Sequence, residues 1–224
     1  MDGILALWKE RGMTSHDCVF KLRKILKTKK VGHTGTLDPG VEGVLPICIG
    51  QATRIAEYLT DAGKTYEAVV SLGRTTTTED AEGETVEAHN QFQSYTRAQI
   101  LQALASLTGE IEQTPPMFSA VKVNGKKLYE YARAGQTVER PTRKITIYEL
   151  ELLSEGDVFE GDEVQFSIRI KCSKGTYIRT LAVQIGEALG VPAHMHELVR
   201  TMSGTFHAGN CLTLAQVAEK MEQG

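Results

Sequence analysis

A glycine-rich loop around one acidic residue is the segment best suited to chemistry. It runs from His33 to Gly43 and contains Asp38, followed directly by proline and glycine. Asp-Pro-Gly favours a β-turn, because proline presets φ and glycine accepts a positive φ. The three glycines at 35, 40 and 43 would also let a bulky ligand approach the backbone closely. Asp38 is therefore either a simple turn former or a carboxylate held beside a ligand.

Basic residues are concentrated in three segments, although the chain has a formal charge of −3. Residues 1–33 carry eight basic and three acidic side chains, and residues 122–144 carry seven and two. The third segment contains no acid and four bases: Arg169, Lys171, Lys174 and Arg179. Seven acids without a base gather in 149–163. This segregation favours a cationic face for a polyanionic partner over the alternative of solvated surface charges.

The composition is that of an ordinary globular protein, with 41% hydrophobic and 24% charged residues among 224. No segment approaches the roughly 20 uninterrupted apolar residues of a membrane helix, and the N-terminus lacks the pattern of a signal peptide. The cysteines at 18, 48, 172 and 211 are far apart in the sequence, without a CxxC pair. A cytoplasmic protein without structural zinc is predicted.

The elements around the loop follow from hydrophobic periodicity. A helix is predicted over 16–28 with Ser15 as its cap, and a buried strand over 44–49, whose proline suggests an edge or an irregular start. A short helix over 52–60 and a strand over 65–73 follow. The loop would thus connect a basic helix to a buried strand.

The rest of the chain alternates between strand and helix patterns. Four helices are predicted. The first follows a capping box at Thr96 and ends at Gly109, and the second is a short helix that ends near Ala134. The third spans 176–189, and the fourth follows Thr213. Asn124-Gly125 predicts a hairpin. Alternating strands are predicted over 145–152, with a phase shift at Tyr148, and over 164–172. The fold class is α+β, with a mixed, mainly antiparallel sheet and flanking helices.

The segment from Gly32 to Pro46 (GHTGTLDPGVEGVLP) resembles the catalytic motif of the TruB family of tRNA pseudouridine synthases. Four further segments resemble motifs of that family in the same order, at residues 9–15, 64–67, 172–179 and 197–201. The resemblance extends from about residue 2 to 206. One departure is Glu10, where many relatives have proline.

The resemblance implies a pseudouridine synthase fold in a single catalytic domain, residues 1–224, without the C-terminal RNA-binding PUA domain of most bacterial members. The implied reaction is isomerisation of uridine-55 in the T loop of tRNA, without cofactor or metal. The implied partner is the T-stem loop of tRNA, with no membrane involved. A monomer is expected.

The resemblance also assigns roles to residues. Asp38 matches the catalytic carboxylate, Arg179 the cation that pairs with it in relatives, and Tyr66 a tyrosine that lies against the target base. Five further residues are expected to bind substrate: His33, Tyr177, Leu198, Lys9 and Lys64. Whether the carboxylate attacks the sugar, attacks the base or abstracts a proton stays open, because each route needs the same ionised group.

Two other functions compete with this interpretation. An aspartyl-phosphate enzyme would need Mg²⁺ and further carboxylates near Asp38, and Glu42 is the only one close in sequence. A non-catalytic module that binds and remodels tRNA would use the basic segments, and Asp38 would then be incidental.

Overall fold

The computed structural model describes residues 1–223, over which fifteen strands and six helices alternate. The strands are β1 (Gly3–Lys9), β2 (Val31–His33), β3 (Glu42–Ile49), β4 (Lys64–Leu72), β5 (Arg74–Thr76), β6 (Thr85–Ala88), β7 (Gln93–Thr96), β8 (Gly109–Gln113), β9 (Lys122–Val123), β10 (Lys126–Lys127), β11 (Arg143–Leu152), β12 (Val158–Gly161), β13 (Val164–Cys172), β14 (Ala193–Ser203) and β15 (Phe206–His207). The helices are α1 (Ser15–Ile25), α2 (Ala56–Asp61), α3 (Arg97–Ser106), α4 (Leu128–Arg133), α5 (Ile178–Leu189) and α6 (Leu214–Gln223). Short 3₁₀ turns occupy Gly50–Ile55 and Ala208–Asn210.

The chain forms two compact units. The first unit comprises Met1–Glu67 and Leu198–Gly224, and the second comprises Ala68–Glu197. Strands β4 and β14 each begin in one unit and end in the other. The glycine-rich loop belongs to the first unit.

In the first unit, β3 is the strand around which the sheet is built. It pairs antiparallel with β1, from Gly3 opposite Ile49 to Lys9 opposite Gly43, and also antiparallel with β2. A short parallel pairing joins it to β14, with Arg200 opposite Gly43. The strand over 44–49 is therefore confirmed, but the edge position that its proline suggested is wrong: Pro46 pairs with Ala6 of β1 inside the sheet.

Helix α1 has an apolar stripe that packs into the protein interior. Cys18, Val19 and Leu22 are buried on one face. The helix begins one residue earlier than the periodicity indicated, because Thr14 is the N-cap and forms a reciprocal capping box with Asp17. This leaves the hydroxyl of Ser15 free to bind the backbone of Leu37.

The second unit contains a sheet in the order β4–β13–β11–β8. Strands β8 and β13 are both antiparallel to β11. The β11–β13 register shifts between Ile147 and Glu149, which confirms the phase change expected at Tyr148. Strands β5 with β6, β7 with β12 and β9 with β10 form separate two-stranded sheets.

The predicted turns and caps of the second unit are largely confirmed. Asn124 and Gly125 both have positive φ (51° and 83°) between β9 and β10, as an Asn-Gly hairpin requires. Thr96 caps α3 through a capping box, and Gly190 ends α5 in the left-handed conformation. Gly109 does not end α3: the helix stops at Ser106, and Gly109 opens β8.

These elements confirm the α+β class with a mainly antiparallel sheet. The largest fully buried apolar side chains include Leu7, Leu22, Leu45 and Ile47 in the first unit and Phe166, Ile100, Leu104 and Ile147 in the second. No helix within residues 1–223 is long and apolar enough to span a membrane.

The close approach of β14 to β3 predicts that Gly43 tolerates no side chain. Its φ is 135°, and a Cβ there would lie 2.3 Å from the carbonyl oxygen of Arg200. We expect Gly43→Ala to lower the free energy of unfolding by about 3 kcal/mol, through strain and strand separation. Chemical denaturation measures this. Gly32→Ala is the control, because a Cβ at Gly32 meets nothing within 4 Å; equal losses in both variants would contradict the prediction.

Candidate active site

Asp38 sits at the exposed tip of the loop between β2 and β3. The Val41 amide donates to the Asp38 carbonyl oxygen at 3.0 Å, which closes the β-turn expected for Asp-Pro-Gly. The Gly12 amide donates to the Pro39 carbonyl oxygen at 2.8 Å and ties the turn to the segment after β1. The carboxylate is thus accessible to a ligand while its backbone is held on two sides.

Ser15 fixes the middle of the loop. Its buried hydroxyl accepts from the Leu37 amide at 2.9 Å and donates to the Leu37 carbonyl oxygen at 3.2 Å. The residue expected to cap α1 instead holds the residue next to Asp38. A side chain of α1 is therefore hydrogen-bonded directly to the loop that carries the carboxylate.

Lys9 and Lys64, both expected to bind substrate, are buried and bound to backbone carbonyls. The Lys9 ammonium donates to Met13 O at 2.6 Å, with longer contacts to Glu10 O and Pro39 O. Burial lowers the pKa of Lys9, and the charges of Cys18 and Asp38 partly oppose this. The Lys64 ammonium donates to the carbonyls of Thr60 and Ala62. These contacts give both lysines a structural role; substrate binding by them stays a prediction.

Arg200 is a residue of the site that sequence reasoning missed. Only 1% of it is exposed, and its guanidinium donates to the Gly35 and Val44 carbonyl oxygens at opposite ends of the loop. Of residues 197–201, only Leu198 is predicted from the sequence to bind substrate. The available signal was an arginine within the motif at 197–201, but nothing in the sequence indicates that it is buried.

The base-contacting candidates of the first unit are also well packed. Tyr66 lies on β4 and Leu198 on β14, with 9% and 8% of their surface exposed. His33 ends β2 and is half-buried. Its Nδ1 is buried and has no hydrogen-bond partner within residues 1–223. Burial lowers the pKa of His33, and the charges of Arg200 and His16 lower it further.

Tyr177 and Arg179 lie in the second unit, at the start of α5. The side chain of Gln113 accepts a hydrogen bond from the backbone amide of Tyr177 at 3.0 Å and donates one to the Tyr177 carbonyl oxygen at 3.1 Å. Arg179 is buried, and its guanidinium donates to the Thr78 and Phe118 carbonyl oxygens at 3.1 and 3.0 Å. The backbone of Tyr177 and the guanidinium of Arg179 are therefore both held by hydrogen bonds within that unit.

Glu79 also helps to hold the start of α5 in place. Its φ is 63°, its carbonyl accepts from the Met195 amide, and its carboxylate accepts from the Thr180 hydroxyl at 2.8 Å. Burial raises the pKa of Glu79, and the hydrogen bond from Thr180 and the charge of Arg179 act in the opposite direction. Sequence reasoning did not single out this residue.

The three basic segments differ in the structure. Exposed cations cover α1 and the turn after it: Lys21, Arg23, Lys24, Lys27, Lys29 and Lys30. In the segment 122–144, Lys127 and Arg133 both lie over the ring of Tyr129. The third segment is not an open cationic face, because Lys171 and Arg169 of β13 pair with Glu149 and Glu151 of β11 at 2.7 and 2.9 Å. Two of the acids in 149–163, Glu149 and Glu151, therefore neutralise bases of the third segment.

Across residues 1–223, no three histidine, cysteine or acidic side chains come together as metal ligands would. His194 and His196 do lie together, with ring centroids 6.2 Å apart.

Comparison with known proteins assigns the chain to a family. The model of the TruB family pseudouridylate synthase N-terminal domain matches residues 23–178, and that of the tRNA pseudouridylate synthase B C-terminal domain matches residues 179–223. The chain belongs to the TruB family.

Curated TruB relatives match along the entire chain. The tRNA pseudouridine synthases B of Bacillus cereus and Geobacillus thermodenitrificans are each 62% identical over 224 residues, which is all of this chain and 73% and 74% of those proteins. The protein is accordingly a tRNA pseudouridine synthase, an isomerase. The activity predicted from the motifs is confirmed at this level.

Solved structures support the fold. A Cbf5-Nop10-Gar1 complex contains a chain that is 36% identical with a TM-score of 0.71, covering 97% of this chain and 54% of that one. An H/ACA RNP bound to a substrate RNA containing 2'-deoxyuridine contains one that is 32% identical with a TM-score of 0.69, covering 97% and 52%. The chain thus spans about half the length of these structural relatives.

The environment of His33 predicts a pH dependence of stability. Because the folded protein depresses the pKa of His33, the unfolded chain binds a proton more readily, and stability falls as the pH drops below about 6.5, the ordinary histidine pKa. We expect His33→Gln to lose less stability than wild type between neutral and mildly acidic pH. Denaturation at several pH values measures this, with NMR titration of the ring as a direct test.

His89→Gln is the control for that prediction. His89 is exposed in the second unit, and an equal change of slope in His89→Gln would show that the effect is not specific to His33. A His33 ring that titrates at or above the ordinary value would contradict the prediction.

Proposed function

We propose that this TruB enzyme converts uridine-55 in the T loop of tRNA to pseudouridine, with Asp38 as the reacting carboxylate. The observation that carries this proposal is the loop itself: an exposed aspartate on a turn held by Gly12, Val41 and Ser15. The match to tRNA pseudouridine synthases over all 224 residues supports a tRNA substrate. A structural relative bound to an RNA containing 2'-deoxyuridine supports a uridine-like target.

The chemistry needs a carboxylate but no co-reactant. Uridine and pseudouridine contain the same atoms: the bond from the sugar to the base nitrogen breaks, the uracil turns, and a bond from the sugar to a base carbon forms. That carbon then gives up its proton, and the released nitrogen takes one up. An ionised carboxylate beside the ribose can attack a carbon or remove a proton. Asp38 would serve any of these routes from the same position.

Positive charge lies close to the turn that carries Asp38. The Lys9 ammonium donates to the carbonyl oxygens of Met13 and Pro39 and interacts electrostatically with the carboxylates of Asp38 and Glu42. We propose that Arg179 pairs with the reacting carboxylate, on the resemblance of residues 172–179 to the family's late motif and on the two hydrogen bonds that hold its guanidinium.

The base would have to leave the T loop to reach a carboxylate. We propose that Tyr66 stacks on the flipped uracil, Tyr177 and Leu198 line its pocket, and His33 enters the space that the base leaves. Stacking on an aromatic ring is worth about 1–3 kcal/mol, comparable with the few kcal/mol that extrusion of a nucleotide costs. The low pKa of His33 favours a neutral ring, which suits insertion among stacked bases.

Removing the charge of Asp38 tests the catalytic assignment. We expect Asp38→Asn to abolish pseudouridine formation, because the amide can neither attack nor accept a proton, while tRNA binding survives. Pseudouridine mapping of a T-loop transcript and filter binding measure the two properties. Asp157→Asn, an exposed position of the second unit, is the matched control and should react like wild type.

The outcome separates two functions. Turnover by Asp38→Asn at the wild-type rate would refute the catalytic role. An Asp157→Asn protein as slow as Asp38→Asn would show that the loss is not specific to the loop. Wild-type protein that binds tRNA but forms no pseudouridine would favour the non-catalytic binding module.

The exposed cations of α1 are proposed to contact tRNA phosphates. We expect Lys24→Glu to weaken binding similarly for substrate and non-substrate tRNA, since phosphate contacts carry no sequence information. The slope of log affinity against log salt should fall by about 1 for every phosphate that the variant no longer neutralises. Lys220→Glu, an exposed lysine of α6, is the control. Weaker binding confined to substrate tRNA would contradict this assignment.

A further inference from the structure

One buried guanidinium joins the two ends of the catalytic loop. Arg200 lies on β14, opposite Gly43 in the parallel pairing with β3. Its Nε donates to the Val44 carbonyl oxygen at 2.8 Å, and its Nη2 donates to the Gly35 carbonyl oxygen at 2.8 Å. Asp38 lies between these two anchor points in the chain. Hydrogen bonds from a charged donor are among the stronger ones in proteins.

The glycines at both ends of the loop are shaped to this contact. Gly35 has a φ of 71°, and a Cβ there would lie 3.4 Å from Nη1 of Arg200 and 3.3 Å from Cε of Lys64. A Cβ at Gly43 would collide with the backbone of Arg200. The absence of side chains at these positions lets the guanidinium and the strand behind it pack directly on the loop backbone.

We propose that Arg200 is a positioning residue for the reaction: its guanidinium clamps Gly35 and Val44 and thereby sets where the Asp38 turn stands. This rests on the proposed role of Asp38. Arg200 itself is buried and is assigned no contact with substrate. Its effect reaches the reaction through the geometry of the turn, since misplacing a reacting group by 1 Å can lower a rate about 100-fold.

Arg200→Lys is the sharpest test, because it keeps the positive charge but removes the planar fork that makes two bonds at fixed angles. We expect the single-turnover rate of pseudouridine formation to fall on the order of 100-fold, with an unchanged dissociation constant for tRNA. A rate equal to wild type in the folded variant would overturn the proposal. So would an equal loss of tRNA affinity, which would indicate a binding role.

Arg97→Lys is the matched control. Arg97 also donates to two backbone carbonyls, those of Ser154 and Gly156 at 2.8 and 3.3 Å, but it lies in the second unit and has no part in the loop. We expect this variant to react at the wild-type rate. If Arg97→Lys slows the reaction as much as Arg200→Lys does, the effect is not specific to the loop and the proposal fails.

Hydrogen exchange distinguishes a loosened loop from a general loss of stability. In Arg200→Lys the amides of Thr34, Leu37 and Val41 should exchange faster. Leu37 and Val41 lie between the two clamped carbonyls and donate to Ser15 Oγ and to the Asp38 carbonyl oxygen, and Thr34 adjoins the clamp at Gly35 and donates to the Pro46 carbonyl oxygen. Amides of α3 should keep their wild-type rates. Uniformly faster exchange throughout the protein would assign Arg200 to global stability alone and overturn the proposal.

A second variant reaches the clamp from the loop side if Arg200→Lys does not fold. Gly35→Ala places a methyl group against the guanidinium at a positive φ. It should reproduce the slow turnover with normal tRNA binding, and a wild-type rate would overturn the proposal. Asp38→Asn in parallel separates the two claims: if it is active, the proposed function fails, whereas wild-type turnover by Arg200→Lys beside an inactive Asp38→Asn refutes only the positioning role.

Discussion

The first unit depends on keeping cations buried beneath a loop that exposes an acid. Lys9 and Arg200 are essentially inaccessible to solvent, and the contacts described for them end on backbone carbonyl oxygens. Burying a charge is costly unless hydrogen bonds compensate it. The hydrogen bonds from Lys9 and Arg200 to backbone carbonyls offset this cost, and they hold the backbone on both sides of Asp38.

A short loop so constrained is well suited to place a charged group accurately. Ser15 binds Leu37 through both backbone groups, and the Asp-Pro-Gly turn closes on Val41. The carboxylate itself stays exposed, so rigidity and accessibility are combined in neighbouring residues. Catalysis by a positioned group depends on this combination, because most of its advantage comes from orientation fixed before the substrate arrives.

The second unit also uses hydrogen bonds from side chains to the backbone to hold the start of α5. Arg179 donates to two carbonyls, and the side chain of Gln113 binds both backbone groups of Tyr177. Elsewhere in this unit, charges are neutralised across neighbouring strands, as Lys171 and Glu149 show. A surplus of bases in one stretch of sequence therefore does not by itself create an exposed cationic face, because folding can pair those bases with acids of a neighbouring strand.

The amino-acid sequence by itself determined the local structure: the capping box at Thr96, the Asn-Gly hairpin, the register change at Tyr148, and the turn at Asp38. These depend on near neighbours, so short patterns are enough. Motif order also indicated the family. Only the tertiary structure decided that Arg200 is buried against Gly35 and Val44, that Ser15 holds Leu37, and that β11 neutralises β13. Such contacts join residues up to 165 positions apart, and no local pattern carries information about partners that only folding brings together.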